Sequence, residues 1–268
     1  MGEIFTFGTI LTVVIMVAAL IGMFICAKKQ QVYQNAQTFA FVLLAIVIAC
    51  GITILFQTGV LGSANTEKLI AKEMLFAKAK ATVLGQSLAA SYPGLKTLLI
   101  VEPGYEKNEN QKQLIAALKE GFGSKIPTVV IASPEVPPMP AGTPPEMMMR
   151  PPLEEMMQAK QFDAIINKYP DCKLIVTLIG LPFDVGEMEL WRKDEAVRPK
   201  VALFNGEIYE LKGAIMQKLI VAAVAYKPGA KFTESPTKDI KKDFDLRYVL
   251  LTPANVEAEA AKNPGLFK

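Results

Sequence analysis

The sequence predicts an α/β protein with two transmembrane helices followed by one three-layer domain built on a mostly parallel sheet. Two observations lead to this prediction. Two segments without charged residues stand near the N-terminus, at 4–27 and 38–57. From residue 97 onward, short apolar segments alternate with amphipathic ones. Continuous apolar strands that alternate with helices are typical of a parallel sheet covered on both faces.

The two uncharged segments are long enough to cross a bilayer, whose core of about 30 Å needs about 20 helical residues. A short polar connection joins them, so residues 1–58 are predicted to form a transmembrane helical hairpin. Helices suit this environment because they satisfy their own backbone hydrogen bonds. The residues before the first segment include Glu3 but no Lys or Arg. Both segments are therefore expected to be retained, since a cleaved signal peptide begins with a basic region.

The distribution of basic residues predicts the orientation of the hairpin. Lys28 and Lys29 directly follow the first segment, whereas the N-terminal tail contains no basic residue. Basic residues favour the cytoplasmic side. We therefore expect a cytoplasmic loop, with both termini and the domain on the extracytoplasmic side.

Small residues recur at four-residue spacing in both segments: Ala18 and Gly22, then Ala45 and Ala49. This spacing lets helices approach closely. The four residues are predicted to pack the two helices against each other. The alternative is that they pack against the helices of a partner. No Asp, Glu, Lys or Arg lies inside either segment, which argues against an ion or proton pathway.

Composition excludes several kinds of chemistry. The chain has no histidine, so Ser-His-Asp and Cys-His catalysis and histidine-ligated metal sites are ruled out. Its three cysteines follow no spacing motif. The net charge is +3 and the lysines are scattered, which gives no support to nucleic-acid binding. We predict no catalytic residue, no cofactor and no metal site.

Residues 59–94 are predicted to contain an amphipathic helix. Apolar residues recur at helical spacing from Ile70 to Leu88, with lysines around them, and Pro93-Gly94 is a stop signal. We interpret this helix as a stalk between the membrane and the domain. Two alternatives are that it packs on the domain or that it lies on anionic lipid.

The domain is predicted to span residues 95–268. Apolar segments predict six strands, at 97–101, 128–132, 173–179, 200–204, 219–225 and 247–251. Helices are predicted at 110–121, 154–169, 184–196 and 207–217. Residues 229–242 are interpreted as a polar loop, and Asp239, Asp243 and Asp245 as solvated residues.

Residues 133–152 are dense in proline and methionine and are predicted to form an extended loop. Thioethers are ligands for copper(I), but these methionines lack regular spacing and have no Cys or His beside them. An adaptable contact surface is the preferred interpretation, because methionine suits irregular interfaces.

Four segments, taken in order, resemble the C-terminal lobe of type I periplasmic sugar-binding proteins, the ribose-binding group. Segment 96–122 is similar to that lobe's first strand, loop and helix, and segment 156–177 to its helix, Pro-Asp step and next strand. Segment 198–228 resembles its strand, Asp-Gly turn, helix and strand, and segment 248–258 its closing strand. The resemblance implies a Rossmann-like (flavodoxin-like) three-layer fold in an extracytoplasmic bacterial protein.

The sequence departs from this family in three ways. A segment of helix length stands where a second lobe would be required. Asn205 stands where a sugar-binding Asp is usual, and Tyr226 where a Gln is usual. The helix expected after Pro228 is replaced by the predicted polar loop. A sugar site needs several fixed polar partners, so these losses argue against retained sugar binding.

The candidate ligand-binding residues lie where strands end, because open α/β sheets bind ligands at the carboxyl edge. They are Glu102, Tyr105, Gly180, Asn205, Gly206 and Tyr226. Ordinary turn chemistry is the alternative interpretation of these residues.

These observations predict a non-enzymatic accessory or scaffolding subunit of a larger membrane protein assembly. It would be a multi-pass protein of a bacterial inner membrane that uses a degenerate solute-binding lobe for protein contacts. The expected partners are the lipid bilayer and other membrane-protein subunits, or further copies of the chain. The alternative is an extracytoplasmic solute receptor or sensor for a small polar ligand such as a sugar. An enzyme using Glu102 is the third hypothesis.

Overall fold

The computed structural model describes residues 7–29, 36–57, 63–135, 156–206 and 208–267. It contains two compact units, Met1–Ala71 and Lys72–Lys268. Most of the predicted proline- and methionine-rich loop lies outside the described residues. The same is true of residues 154–155 of the helix predicted at 154–169.

The first unit contains α1 (Phe7–Lys29) and α2 (Ala36–Gln57). The segment Thr38–Leu55 of α2 is long and apolar enough to cross a membrane. The apolar segment of α1, Leu11–Cys26, is shorter. Among the described residues, α2 is therefore the one helix that is long and apolar enough to cross a membrane.

The two helices contact each other along one stripe. Ala19 and Cys50 are buried. A Cβ atom added at Gly22 would lie 3.0 Å from Cδ1 of Leu43, so Gly22 lets the helices approach closely. Gly22 thus lies in the contact surface for which it was predicted.

The other three small residues lie elsewhere. Ala18, Ala45 and Ala49 are exposed in the helix pair. Ala45 follows Leu43 by two residues, which places it about 200° around a helix of 3.6 residues per turn. The prediction that all four residues pack α1 against α2 is therefore corrected. The four-residue spacing of Ala45 and Ala49 marks a face of α2 that α1 does not cover.

The second unit is built on a six-stranded sheet with the order β2-β1-β3-β4-β5-β6. The strands are β1 (Thr97–Ile100), β2 (Val129–Ala132), β3 (Leu174–Thr177), β4 (Lys200–Leu203), β5 (Ile220–Tyr226) and β6 (Tyr248–Leu251). The pairs from β2 to β5 are parallel, and β6 is antiparallel to β5. The predicted α/β class and mostly parallel sheet are confirmed.

Helices cover both faces of this sheet. They are α3 (Ser63–Ser91), α4 (Glu109–Phe122), α5 (Ala159–Lys168), α6 (Lys212–Met216), α7 (Ile240–Arg247) and α8 (Val256–Lys262). One hydrophobic core packs residues of α3, α4 and α7 against the sheet. A second packs residues of α5, α6 and α8 against it. Two cores with the sheet between them make the three-layer arrangement.

The C-terminal part of α3 belongs to the core of the second unit. Phe76, Leu84 and Leu88 are buried in its first hydrophobic core. A Cβ atom at Gly85 would lie 2.5 Å from the carbonyl oxygen of Leu118, so the backbones of α3 and α4 are in contact. Of the interpretations given above for residues 59–94, these contacts support packing on the domain, and the compact unit begins at Lys72 rather than at residue 95.

The predicted helix at 184–196 is corrected to two short 3₁₀ turns, Val185–Glu187 and Glu189–Arg192. Hydrogen bonds that a regular helix does not contain explain the difference. The indole N–H of Trp191 donates to the carbonyl of Val185, and the backbone N–H of Glu189 donates to the Asp163 carboxylate. The helix predicted at 207–217 is also corrected, to the shorter α6 at Lys212–Met216.

The end of the predicted polar loop is also corrected, because residues 240–247 form α7. Asp239 caps this helix by accepting a hydrogen bond from the backbone N–H of Lys242. Asp243 is buried and accepts hydrogen bonds from the backbone N–H and the hydroxyl of Thr237, at 2.6 and 2.7 Å. Two of the three aspartates predicted to be solvated therefore stabilise the start of α7.

Candidate ligand site

A pocket of about 340 Å³ lies at the carboxyl ends of β4 and β5. Three of the predicted ligand-binding residues, Asn205, Gly206 and Tyr226, line it together. The parallel direction of the two strands explains this, because it brings their carboxyl ends to the same edge of the sheet. Lys80, Tyr209 and Lys227 complete its polar lining.

Lys80 reaches this pocket from α3 and is 6% exposed. Its ammonium donates a hydrogen bond to Oδ1 of Asn205, with a nitrogen–oxygen distance of 2.6 Å. The amide of Asn205 in turn donates through Nδ2 to the carbonyl oxygen of Leu178, at 3.0 Å. This second bond orients the amide so that its oxygen faces Lys80.

Aromatic rings surround the Lys80 ammonium. Its nitrogen lies 4.2 Å from the ring centroid of Phe204, 5.5 Å from that of Tyr248 and 5.9 Å from that of Tyr226. The negative face of an aromatic ring attracts a cation at such distances. These rings stabilise the charge partly, but they also remove water from it.

Burial lowers the pKa of Lys80 from 10.5 to about 7. The physical cause is desolvation, which disfavours the charged form of an amine. Near neutral pH the side chain is therefore divided between the ammonium and the neutral amine. Burial also raises the pKa of the neighbouring Tyr248 phenol.

A partly buried ion pair joins α3, the helix that carries Lys80, to α7. Arg247 of α7 is completely buried, and its guanidinium contacts both carboxylate oxygens of Glu73 at 2.5 and 3.2 Å. The Arg247 guanidinium also lies 3.5 Å from the ring centroid of Phe76. These contacts join α3 to α7 and neutralise the acidic residue nearest to Lys80 along α3.

The other predicted site residues are not part of this pocket lining. Glu102 is exposed, and Tyr105 belongs to a 3₁₀ turn that borders a different cavity beside β2. The lining of that cavity includes Glu135, the last described residue before the gap at 136–155, so we assign no site to it. Gly180 is buried with a φ of 83°, and its carbonyl accepts a hydrogen bond from the Thr177 hydroxyl.

Lys80 is the site residue that sequence reasoning missed. Its position could have indicated its burial, because it lies in one four-residue series with Phe76, Leu84 and Leu88. The structure also gives no sign of a metal centre: within its described part, no three Cys, Asp or Glu side chains form a group that could hold a metal ion.

No protein-family model and no curated protein matches the chain. Solved structures are similar to it at low identity. One is the substrate-binding protein of a sugar ABC transport system from Bordetella parapertussis (15% identity, TM-score 0.42, 69% of this chain and 58% of that one). Another is a carbohydrate transporter from Acidothermus cellulolyticus in complex with myo-inositol (16% identity, TM-score 0.37, 68% and 60%).

A third is an ABC transporter solute-binding protein from Bradyrhizobium with bound bis-tris (14% identity, TM-score 0.41, 69% and 52%). The chain thus spans between 52% and 60% of the length of these three structures. Two of these three structures are described as substrate- or solute-binding proteins of transport systems. At this similarity the likeness concerns the fold, and the pocket has to be interpreted from its own residues.

Proposed function

We propose that the protein is a membrane-anchored, non-enzymatic receptor that binds a small polar solute in the pocket between Lys80, Asn205 and Tyr226. The observation that supports this proposal is the convergence of three elements on one concave site. Lys80 comes from α3, Asn205 follows β4, and Tyr226 ends β5. A few convergent polar groups in a concave site are typical of small-molecule binding.

The rim of the pocket supports the same proposal. Tyr226 is 51% exposed and lies against Phe232, with ring centroids 5.5 Å apart. Exposed aromatic faces suit the apolar faces of a small ring-shaped solute, while Asn205 and Tyr209 offer polar groups.

The anchor in this proposal is the pair α1 and α2. The apolar segment of α2 has the length of a membrane span, and the sequence is uncharged from residue 4 to residue 27, a range that includes most of α1. We propose that both cross a bacterial inner membrane, with Lys28 and Lys29 at the end of α1 and the loop that follows them in the cytoplasm. The domain would then face the extracytoplasmic side, where a solute receptor can sample its ligand.

Thermal-shift measurements on the full chain in mild detergent test the proposed site. We expect a saturable increase in Tm with one or more members of a panel of sugars, sugar acids, polyols and nucleosides. Asn205→Ala should abolish the shift, because it removes the hydrogen-bond partner of Lys80. Asn167→Ala is a matched control. Asn167 also accepts a hydrogen bond from a lysine, Lys193, but it is exposed and does not line the pocket. A panel without any saturable shift would overturn the proposal.

The second candidate function is an accessory or scaffolding subunit of a membrane assembly. The observation that favours it is the exposure of small residues on both helices, Ala18 on α1 and Ala45 and Ala49 on α2. Small residues allow close approach of a further helix in a membrane. Mass spectrometry of proteins that copurify from native membranes tests this function. A stoichiometric partner that is lost in Ala45→Leu would support it, and purification of a bare monomer would count against it.

A further inference from the structure

We infer that the pocket at Lys80 selects anionic solutes, in which a carboxylate or phosphate group contacts the Lys80 ammonium. This inference rests on the proposed function and names the chemical class of its ligand. It depends on two observations about Lys80, which lines the pocket: its hydrogen bonding and the charges that surround it.

The Lys80 ammonium is short of hydrogen-bond acceptors. An ammonium group has three N–H donors. In the described part of the chain, Oδ1 of Asn205 is the acceptor that Lys80 contacts. Its other close neighbours are the rings of Phe204, Tyr226 and Tyr248, which attract a cation but do not replace an anionic partner.

The charge on Lys80 also lacks a counter-ion among the described residues. None of the salt bridges in the described part of the chain includes Lys80. Glu73, about two turns earlier on α3, is paired with Arg247. The described lining of the pocket contains two lysines, Lys80 and Lys227, and no Asp or Glu. Glu207 follows Gly206 in sequence and lies outside the described residues.

An anionic ligand would supply both the hydrogen-bond acceptors and the counter-ion that Lys80 lacks among the described residues. A buried charge is costly unless it is paired and hydrogen-bonded. A carboxylate or phosphate supplies acceptor oxygens and the opposite charge in one group, and its hydrogen bonds to an ammonium are stronger than those of a neutral hydroxyl. A neutral sugar supplies the acceptors alone and leaves the charge unpaired.

Anion binding at this position must be coupled to protonation. Lys80 is divided between its two protonation states near neutral pH, and a neighbouring anion favours the ammonium. The other titratable groups around it are the phenols of Tyr226 and Tyr248, the Glu73–Arg247 pair, and Lys227 and Tyr209 of the pocket lining. Burial raises the pKa of the Tyr248 phenol, and Glu73 is paired with Arg247, so we assign the proton to Lys80.

Competitive trace labelling of amines tests this inference on the full chain in mild detergent. Acetic anhydride reacts with the neutral amine, and mass spectrometry of the peptide that contains Lys80 gives its titration midpoint. The exposed Lys119 serves as an internal control. The probes are sodium glucuronate, inorganic phosphate and glucose, each at the same ionic strength in sodium chloride.

We expect glucuronate or phosphate to raise the midpoint of Lys80 by about one pH unit or more, a tenfold change in its proton affinity. Glucose should leave the midpoint unchanged, and Lys119 should respond to none of the probes. Lys80→Gln should abolish the thermal shift caused by the active anion, whereas Lys119→Gln should retain it.

A Lys80 midpoint that none of the probes moves, or that glucose moves equally, would overturn the inference. The proposed function is tested separately. A neutral sugar that gives a saturable thermal shift lost in Asn205→Ala, with the Lys80 midpoint unchanged, would sustain the solute site and refute its anion selectivity. The absence of both effects would refute both.

Discussion

Replacing Lys80 with methionine is expected to make the stability of the domain less dependent on pH. The folded protein binds the proton of Lys80 with a pKa of about 7, whereas the unfolded chain binds it with the ordinary value of 10.5. Between these values the unfolded state holds more protons, so the stability of the wild type falls as pH decreases from about 10 to about 7. Below about pH 7 the destabilisation of the fold by Lys80 is constant, and above about pH 10 it is absent.

The size of this effect follows from the shift in pKa. One unit corresponds to about 1.4 kcal/mol, so the penalty from Lys80 at pH 7 is on the order of 3 to 5 kcal/mol. Methionine retains most of the buried chain length and has no charge to desolvate. It also loses the hydrogen bond to Asn205, which contributes about 1 kcal/mol when the amine is neutral. The difference in unfolding free energy between Lys80→Met and the wild type should therefore shift in favour of the variant as pH decreases.

Urea unfolding of the full chain in mild detergent measures this difference at pH 7, 8, 9 and 10. Fluorescence of Trp191, the single tryptophan of the chain, reports on the second unit. The measurements stop at pH 10 because burial raises the pKa of Tyr248, so ionisation of tyrosine in the unfolded state destabilises the fold above that pH. The exposed Lys119→Met is the control. Parallel pH profiles for the wild type and Lys80→Met would refute the reasoning.

Three further predictions concern stability, all read out by the same urea unfolding. Glu73→Gln should lower the free energy of unfolding by about 1 to 3 kcal/mol, because the buried Arg247 loses its counter-ion while the half-exposed Glu73 side chain is partly screened by water; an unchanged midpoint would contradict this role of the pair. Gly85→Ala should lower the free energy of unfolding by about 1 to 3 kcal/mol, because the new methyl group forces α3 away from α4. Gly186→Ala is the control and should be neutral, because a Cβ atom at Gly186 would meet no neighbouring atom within 4 Å. Asp243→Ala should cost about 1 to 3 kcal/mol, because two donors before α7 lose their buried acceptor; equal stability of the variant and wild type would exclude this role.

The central strands of the fold could be predicted from sequence because their side chains are buried on both faces of the sheet. The strand residues of β1 and β3 are all buried, which explains their continuous apolar sequences. Residues 184–196 were mispredicted because hydrogen bonds to distant parts of the chain, such as that between Glu189 and Asp163, replace helical ones. The helix α7 was missed because its sequence is mostly charged, and its capping and burial depend on Asp239 and Asp243.

The pocket could be predicted in part. Asn205, Gly206 and Tyr226 follow from the rule that ligand sites form at the carboxyl ends of parallel strands. Lys80 could not be found by that rule, because it comes from a helix distant in sequence that contains several other lysines. What separates Lys80 from the others is its place in the buried stripe, which becomes evident once α3 is known to pack on the sheet.

The most direct test of the central claim is to identify what the native protein holds. The full chain would be purified from native membranes in mild detergent, denatured, and its released small molecules measured by mass spectrometry beside those of Asn205→Ala. Our account predicts a polar compound of low mass, enriched with the wild type and absent from the variant. Identical small-molecule profiles for the two proteins would contradict the claim that this pocket binds a solute.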